Sequence, residues 1–381
     1  MRVAIIDADL IGRKKHRFPN LASMKIAGYH KEKGDKVELK LDYKDLQQYD
    51  EIYISKVFTD TPFPEGIKPS DKIHLGGTGF YFDKAQDLPY QIEHHMPDYH
   101  LYDEWIENEV LKASSEAERL GEIFDKKRFM RQFKGYTDYS IGFMTRGCFR
   151  KCEFCVNKKY DRVYVHSTLD EFYSEDRKKI CLLDDNFLGC ISAKELLEEI
   201  KQKNKSFTFK QGLDERLLTD EKCEMLFSSK YDGDYTFAFD KISDYPLIEN
   251  KLKMIRKHTQ AKKIKFYVLV GFESTDEIDI ENAFKRIALL FKFQCLPYIM
   301  RYQNKNETPW KNSEFRGMYV AIARWANQPN LIKKMSFREF CEKNQKLKKT
   351  DGLCSTMKSM QDFEKRFPDI AKRYFDIKYE Q

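Results

Sequence analysis

The chain has 381 residues, enough for one large domain or two ordinary ones with a substantial buried core. Its 41% hydrophobic and 14% aromatic content excludes a disordered or fibrous chain. Charged residues make up 34% and leave a formal net charge of +7, spread along the chain as a lysine-rich surface; this permits an acidic substrate or nucleic acid without demanding either.

The first strand is expected at residues 2–7, where an α/β domain begins, and the N-terminus lacks the basic head, long apolar run and cleavage site of a signal peptide. No segment approaches the roughly 18 apolar residues that span a membrane. A soluble, cytoplasmic protein with no membrane partner is the expectation. A helix follows at 21–33, with Met24, Ile26, Ala27 and Tyr29 apolar and Gly34 closing it, and further strands are expected at 36–41, 51–57 and 72–75. Strands alternating with crossovers imply a Rossmann-like, doubly wound parallel sheet over residues 1–100. Its fourth strand runs into Gly76-Gly77-Thr78-Gly79, a permissive turn at the carboxyl edge, where such sheets bind ligands. Residues 101–135 read as a connector, helix-like over 105–127.

Alternation then resumes on a larger scale. Strands are expected at 139–144, 179–184, 207–211, 235–239, 263–270 and 296–301, with helices between them at 168–176, 193–203, 220–228, 245–258 and 278–292. Six βα units in series, over 136–305, imply a partial (β/α)6 barrel of the TIM type, with chemistry at the carboxyl ends of its strands. Residues 306–381 read as a basic, helical C-terminal region.

Nine cysteines are an odd number and do not form a disulfide framework; in a reducing compartment a tight cluster points to metal or redox chemistry. Three fall within eight residues, Cys148, Cys152 and Cys155, directly after the first barrel strand. Spacings of four and three let one short loop wrap three corners of an iron–sulfur cube, whose soft metal takes thiolates. Gly147 permits the sharp turn into the loop, and Phe149 and Phe154 are placed to shield it. A closed zinc site wants four ligands, and no second cysteine pair is present; three ligands leave one iron open to a substrate or cofactor. The competing readings are coincidence and a zinc site completed by His166.

With these spacings, and with Phe154 just before the last cysteine, the sequence resembles the radical S-adenosylmethionine (SAM) superfamily. The resemblance implies a [4Fe–4S] cluster on Cys148, Cys152 and Cys155 and SAM on the open iron. It implies reductive cleavage of SAM to a 5′-deoxyadenosyl radical, hydrogen abstraction from an unidentified substrate, and an electron donor such as flavodoxin or ferredoxin. Asp184, Asp185 and Asn186, ending the second barrel strand, look like the segment that receives the SAM amino group; an Asp-Asn turn capping the next helix is the bland alternative. Gln211, Asp214 and Arg216, after the third, offer groups for the ribose and carboxylate, and Gly271, after the fifth, lies where the superfamily contacts adenine.

The N-terminal unit resembles the cobalamin-binding-like domain found in one branch of this superfamily, through Gly76-Gly77-Thr78-Gly79. It lacks the D-x-H-x-x-G motif that gives cobalt a histidine, and the loop after Asp7 carries only His16. A substrate-binding or structural role is therefore the first reading. A cobalamin-dependent radical SAM methyltransferase is the alternative function, and a non-catalytic zinc-stabilised nucleic-acid-binding protein is the rival from another class. Other residues stand out less. Glu93, His94, His95 and His100 suggest a metal cluster, but adjacent histidines on an extended segment point to opposite faces. Cys341 and Cys354 suit an auxiliary cluster, a transient covalent intermediate or, more simply, a packed core. Tyr298 and Arg301 end the sixth strand, where Arg301 suits a phosphate or carboxylate. Lys333, Lys334, Lys346, Lys348 and Lys349 suit RNA or a solvated helix face.

Overall fold

The computed structural model describes residues 1–303 and 307–379. The chain forms two compact units: Met1–Phe149, Val156–Asp184 and Gln202–Phe207 make the first, Arg150–Cys155, Asp185–Lys201 and Thr208–Gln381 the second. The boundary expected at 305 and 306 lies outside the described residues.

The first unit opens with β1 (Arg2–Asp7), β2 (Lys36–Leu39), β3 (Glu51–Ser55) and β4 (Ile73–Gly76), a parallel sheet in the order β2-β1-β3-β4. The order reverses between β1 and β3, as in doubly wound sheets. Alternation along β1 serves two layers. Val3 and Ile5 pack with Met24, Ala27 and Trp105, while Ala4 and Ile6 pack with Tyr49, Ile52 and Ile54. The helix Leu21–Glu32 starts where the Asn20 side chain accepts from the Ser23 N–H. Residues 101–135, read in sequence as a connector, supply Tyr102, Trp105, Ile106 and Phe133 to this core. After β4, Gly77 sits at φ +101° with the Lys56 carbonyl oxygen 2.3 Å from where a Cβ would lie, so no side chain fits.

The same unit continues with β5 (Tyr139–Gly142), a two-stranded ribbon of β6 (Thr145–Arg146) and β7 (Tyr164–Val165), then β8 (Lys179–Leu182) and β9 (Ser206–Phe209), where the chain crosses into the second unit. A sheet in the order β5-β8-β9 results. The helix expected at 168–176 is a single turn, Leu169–Glu171. Tertiary bonds stop it. The Phe172 carbonyl accepts from the Tyr99 hydroxyl at 2.5 Å and the Ser174 N–H donates to Ser140 Oγ at 3.0 Å, so neither backbone group is left to extend a helix.

The second unit holds a parallel sheet of β10 (Tyr235–Ala238), β11 (Ile264–Val270) and β12 (Leu296–Arg301), to which Leu213 adds an isolated parallel bridge at Phe237. The six strands expected of a barrel are thus paired as two three-stranded sheets, with β5 parallel to β8 and β10, β11 and β12 parallel throughout. Helices Tyr245–His258 and Glu277–Lys292 turn Ile248, Leu252 and Ile255, and Ile280, Phe284, Ile287 and Phe291, inward at helical spacing. Arg286, fully buried on the second of these, donates to the carbonyls of Phe239, Asp240 and Leu269 and ties the ends of β10 and β11 together. The C-terminal region is helical as expected, its helices closing on Trp325, Phe337, Phe363 and Phe375. Among the described residues no helix is long and apolar enough to cross a membrane.

Candidate functional site

The cysteine loop hangs from the β6–β7 ribbon, in which Thr145 pairs with Val165 and Arg146 with Tyr164. Gly147 enters it at φ +91°, with the Arg162 carbonyl oxygen 2.3 Å from a hypothetical Cβ. Between the cysteines the backbone curls, the Cys152 N–H donating to the Arg150 carbonyl at 2.9 Å and the Cys155 N–H to the Cys152 carbonyl at 3.0 Å. All three thiols are half-buried. Among the described residues no three His, Cys, Asp or Glu side chains converge to hold a single ion. A cubane asks for a different arrangement, one thiolate on each of several irons.

Asp184 secures the root of this loop. Its Oδ1 accepts from the Thr145 N–H at 2.5 Å and the Thr145 hydroxyl at 2.6 Å, and its Oδ2 from the Met144 N–H at 3.3 Å. Burial pushes its carboxyl up to about 6 against those bonds. Asp184 therefore braces the protein's own backbone at the root of the loop. Glu93 holds both strands of the ribbon, its Oε1 meeting Arg146 Nη2 at 3.3 Å and His166 Nε2 at 3.0 Å, with Lys25 Nζ at 3.2 Å. Burial raises its pKa, but His166, Lys25 and Arg146 outweigh this and bring it to about 2. His166 is thereby engaged as a ribbon brace. The neighbouring histidines do not gather: His94 bonds Glu171 at 2.7 Å, His95 bonds Glu32 at 2.8 Å and His100 bonds Asp103 at 2.7 Å.

In the second unit Asp214 is the centre of a charged clasp. Its carboxylate takes Arg150 Nε at 2.9 Å and Arg216 Nε at 2.6 Å, with Asn186 Nδ2 at 3.4 Å. Burial pushes the Asp214 pKa up, yet the guanidiniums of Arg216 and Arg150 prevail and hold it below the usual carboxylate value. Arg150 lies between the first two cysteines, so this clasp fastens the middle of the loop. Phe154 packs edge-to-face on Phe272 at 5.4 Å, and Phe272 on Tyr302 at 4.8 Å, joining the loop's aromatic to the ends of β11 and β12. Gly271 is at φ +70°, its N–H donating to Asp279 Oδ2 at 2.7 Å. Asp185 is half-buried and Gln211 exposed.

Sequence reasoning missed three participants. Arg150 lies inside the cysteine motif, and its charge there was the available signal. Glu93 was noticed only as a partner of histidines. Glu215 had no signal at all, because a Glu between Asp and Arg reads as surface; it is buried, its carboxyl pushed up to about 8, and it accepts from the Ala238 N–H at 3.2 Å. Elsewhere, Cys341 is buried, with its thiol pushed up to about 12 by that burial. The Cys354 thiol meets the Thr356 hydroxyl at 3.2 Å. Lys348 of the basic stretch bonds the carbonyls of Asp351, Gly352 and Leu353.

No known family's sequence profile matches the chain, and no curated protein does. Among solved structures it is similar to SuiB of Streptococcus suis bound to S-adenosylmethionine, at 11% identity over 61% of each chain and a TM-score of 0.34. A second SuiB structure matches at 12% identity over 64% of this chain and 65% of that one, with a TM-score of 0.35. The apo form of the cobalamin-dependent S-adenosylmethionine radical enzyme OxsB matches at 15% identity over 96% of this chain and 61% of that one, also at 0.35. The chain spans about six-tenths of the length of these proteins. The likenesses are distant.

Proposed function

We propose that the protein is a radical SAM enzyme that holds a [4Fe–4S] cluster on Cys148, Cys152 and Cys155 and removes a hydrogen atom from an unidentified substrate. The observation that carries this reading is the loop itself. Three thiols are spaced along one short segment, entered through a glycine that nothing else replaces, pinned at its root by Asp184 and at its middle by Arg150 on Asp214. A donor set of three thiolates and no fourth suits an iron–sulfur cube with one open iron. When bound, the cluster supplies the single electron that breaks the SAM sulfonium to give a 5′-deoxyadenosyl radical. Electrons would come from a donor such as flavodoxin or ferredoxin.

The chain's own residues orient and exclude. Asp184 and Glu93 fix the ribbon from which the loop hangs. Phe154, packed on Phe272, sets an apolar side chain next to the last cysteine, where it would limit water's access to a bound cluster. Asp184, Asp185, Asn186, Gln211, Asp214, Arg216 and the Gly271 backbone are the groups proposed to face SAM, with Asp184 and Asp214 also bracing the loop.

The carboxyl edge of the N-terminal sheet supports a structural role there. Asp9 accepts from the Val57 N–H at 2.6 Å and from the Thr61 hydroxyl, and Lys56 Nζ reaches the Thr61 carbonyl at 2.9 Å. His16 stands edge-on to Phe58, with ring centroids 5.8 Å apart. These residues do not make a histidine cradle for cobalt.

Anaerobic reconstitution tests the proposal. The full chain should take up about four irons and four sulfides, gain a broad visible absorbance, and convert SAM to 5′-deoxyadenosine on reduction; Cys152→Ala should abolish both colour and turnover. Stoichiometric zinc uptake without a chromophore would overturn the reading in favour of a zinc-stabilised nucleic-acid-binding protein.

A further inference from the structure

The carboxyl ends of β11 and β12 carry a second set of polar groups that the cysteine loop does not use. Arg301, the last residue of β12, lays its guanidinium over the Trp310 ring at 4.4 Å from the centroid, and Lys311 Nζ lies over the same ring at 5.8 Å. Trp310 is 7% exposed and wedged against Gly271, where a Cβ would come within 2.8 Å of the tryptophan's own Cβ. Among the described residues its buried indole N–H has no hydrogen-bond acceptor.

Among the described residues neither Arg301 nor Lys311 has a carboxylate partner. Of the acids in nearby segments, Glu273 pairs with Lys241 and Glu314 with Arg366, Asp279 accepts from Gly271 and Tyr319, and Glu307 has an interaction of its own. Two cations share one ring, and partial desolvation lowers the pKa of Arg301, whose side chain still meets solvent. A guanidinium, an ammonium and an indole N–H are all donors, and none accepts. The ligand that satisfies such a set is rich in acceptors and negatively charged. Tyr298 and Met300, which meet solvent on β12, alternate with Arg301 and lie on the other face of the strand.

We propose that Arg301, Lys311 and Trp310 form a binding site for the oxyanion of an organic ligand, a carboxylate or a phosphate. The site rests on its own geometry and goes beyond the cysteine-loop reading, so its test needs no cluster.

The full chain is titrated calorimetrically with phenyl phosphate, with benzoate and with neutral benzyl alcohol. At least one anion should bind at least about tenfold more tightly than the alcohol, and Arg301→Gln should weaken that anion by about tenfold, equivalent to about 1.4 kcal/mol. A preference for phenyl phosphate assigns a phosphoryl ligand, and a preference for benzoate a carboxylate. The proposal is overturned if the alcohol binds as well as the anions, or if neither anion binds at millimolar concentration. It is also overturned if Arg301→Gln and Lys311→Gln both bind as the parent does.

Discussion

Asp184 and Asp214 each follow a strand, and in the sequence they read as two of a kind, carboxylates offered to a cofactor. Their surroundings make them opposites. Asp184, in the first unit, is met by neutral donors from Met144 and Thr145, and burial lifts its pKa to about 6. Asp214, in the second, stands between Arg150 and Arg216, which more than offset its burial and keep it ionised. One is a pin for a backbone turn; the other is the anion of a charge clasp. Position in sequence locates a carboxylate, and the donors around it decide what the carboxylate does.

The sharpest way to break this comparison is to remove the pin. Asp184→Ala strands two backbone N–H groups and a hydroxyl in a buried site, and should cost about 2–4 kcal/mol of stability. Urea unfolding measures it as a lower midpoint with an unchanged slope. Asp184→Asn keeps an acceptor and should cost about 1 kcal/mol. If Asp184→Ala unfolds like the parent while SAM affinity drops, the side chain serves the cofactor alone and its bracing role is wrong.

Acidity separates the two residues further. Asp184 has a raised pKa, so the folded protein holds that proton more tightly than the unfolded chain. Its contribution is full below about pH 4 and declines by about 2–3 kcal/mol as pH rises to about 6. Asp214 has a lowered pKa, so its contribution is present above about pH 4 and is lost as pH falls through the folded value. Unfolding midpoints measured across this range should respond accordingly. Asp184→Asn should flatten the decline between about pH 4 and 6, and Asp214→Asn the loss on the acid side. Identical pH profiles for the two variants would erase the distinction.

Much of this architecture was legible from periodicity. The strand Arg2–Asp7, the helix Tyr245–His258 and the strand Leu296–Arg301 have the bounds expected, because apolar spacing and clear flanking residues mark them. The failure at 168–176 has a particular cause. Thr168 and Glu171 form a capping box that promises a helix, but Tyr99 and Ser140, distant in sequence, claim the backbone that would continue it. At the site the cysteines announced themselves by spacing alone. Their supports did not, since Glu93 and Asp214 gain meaning only from Arg146, His166, Arg150 and Arg216 folding back on them. A lone acid carries no mark of the partner it will meet.

The smallest expected effect tests the clasp on its own. In the pair with Asp214 the Arg150 side chain is 31% exposed, so water screens part of the attraction, and Arg216 remains when Arg150 is removed. Arg150→Gln should therefore lower global stability by only about 0.5–1 kcal/mol. The local effect should be larger than the global one. Lys151 follows directly in the exposed part of the loop, and freeing its neighbour from Asp214 raises the fraction of time that the segment is open. A lysine-specific protease should cut after Lys151 several times faster in Arg150→Gln than in the parent, whereas Lys178, outside the loop, should be cut at an unchanged rate. Equal acceleration at both lysines would mean that the substitution loosens the whole protein, and the clasp would lose its standing as the feature that orders the cysteine loop.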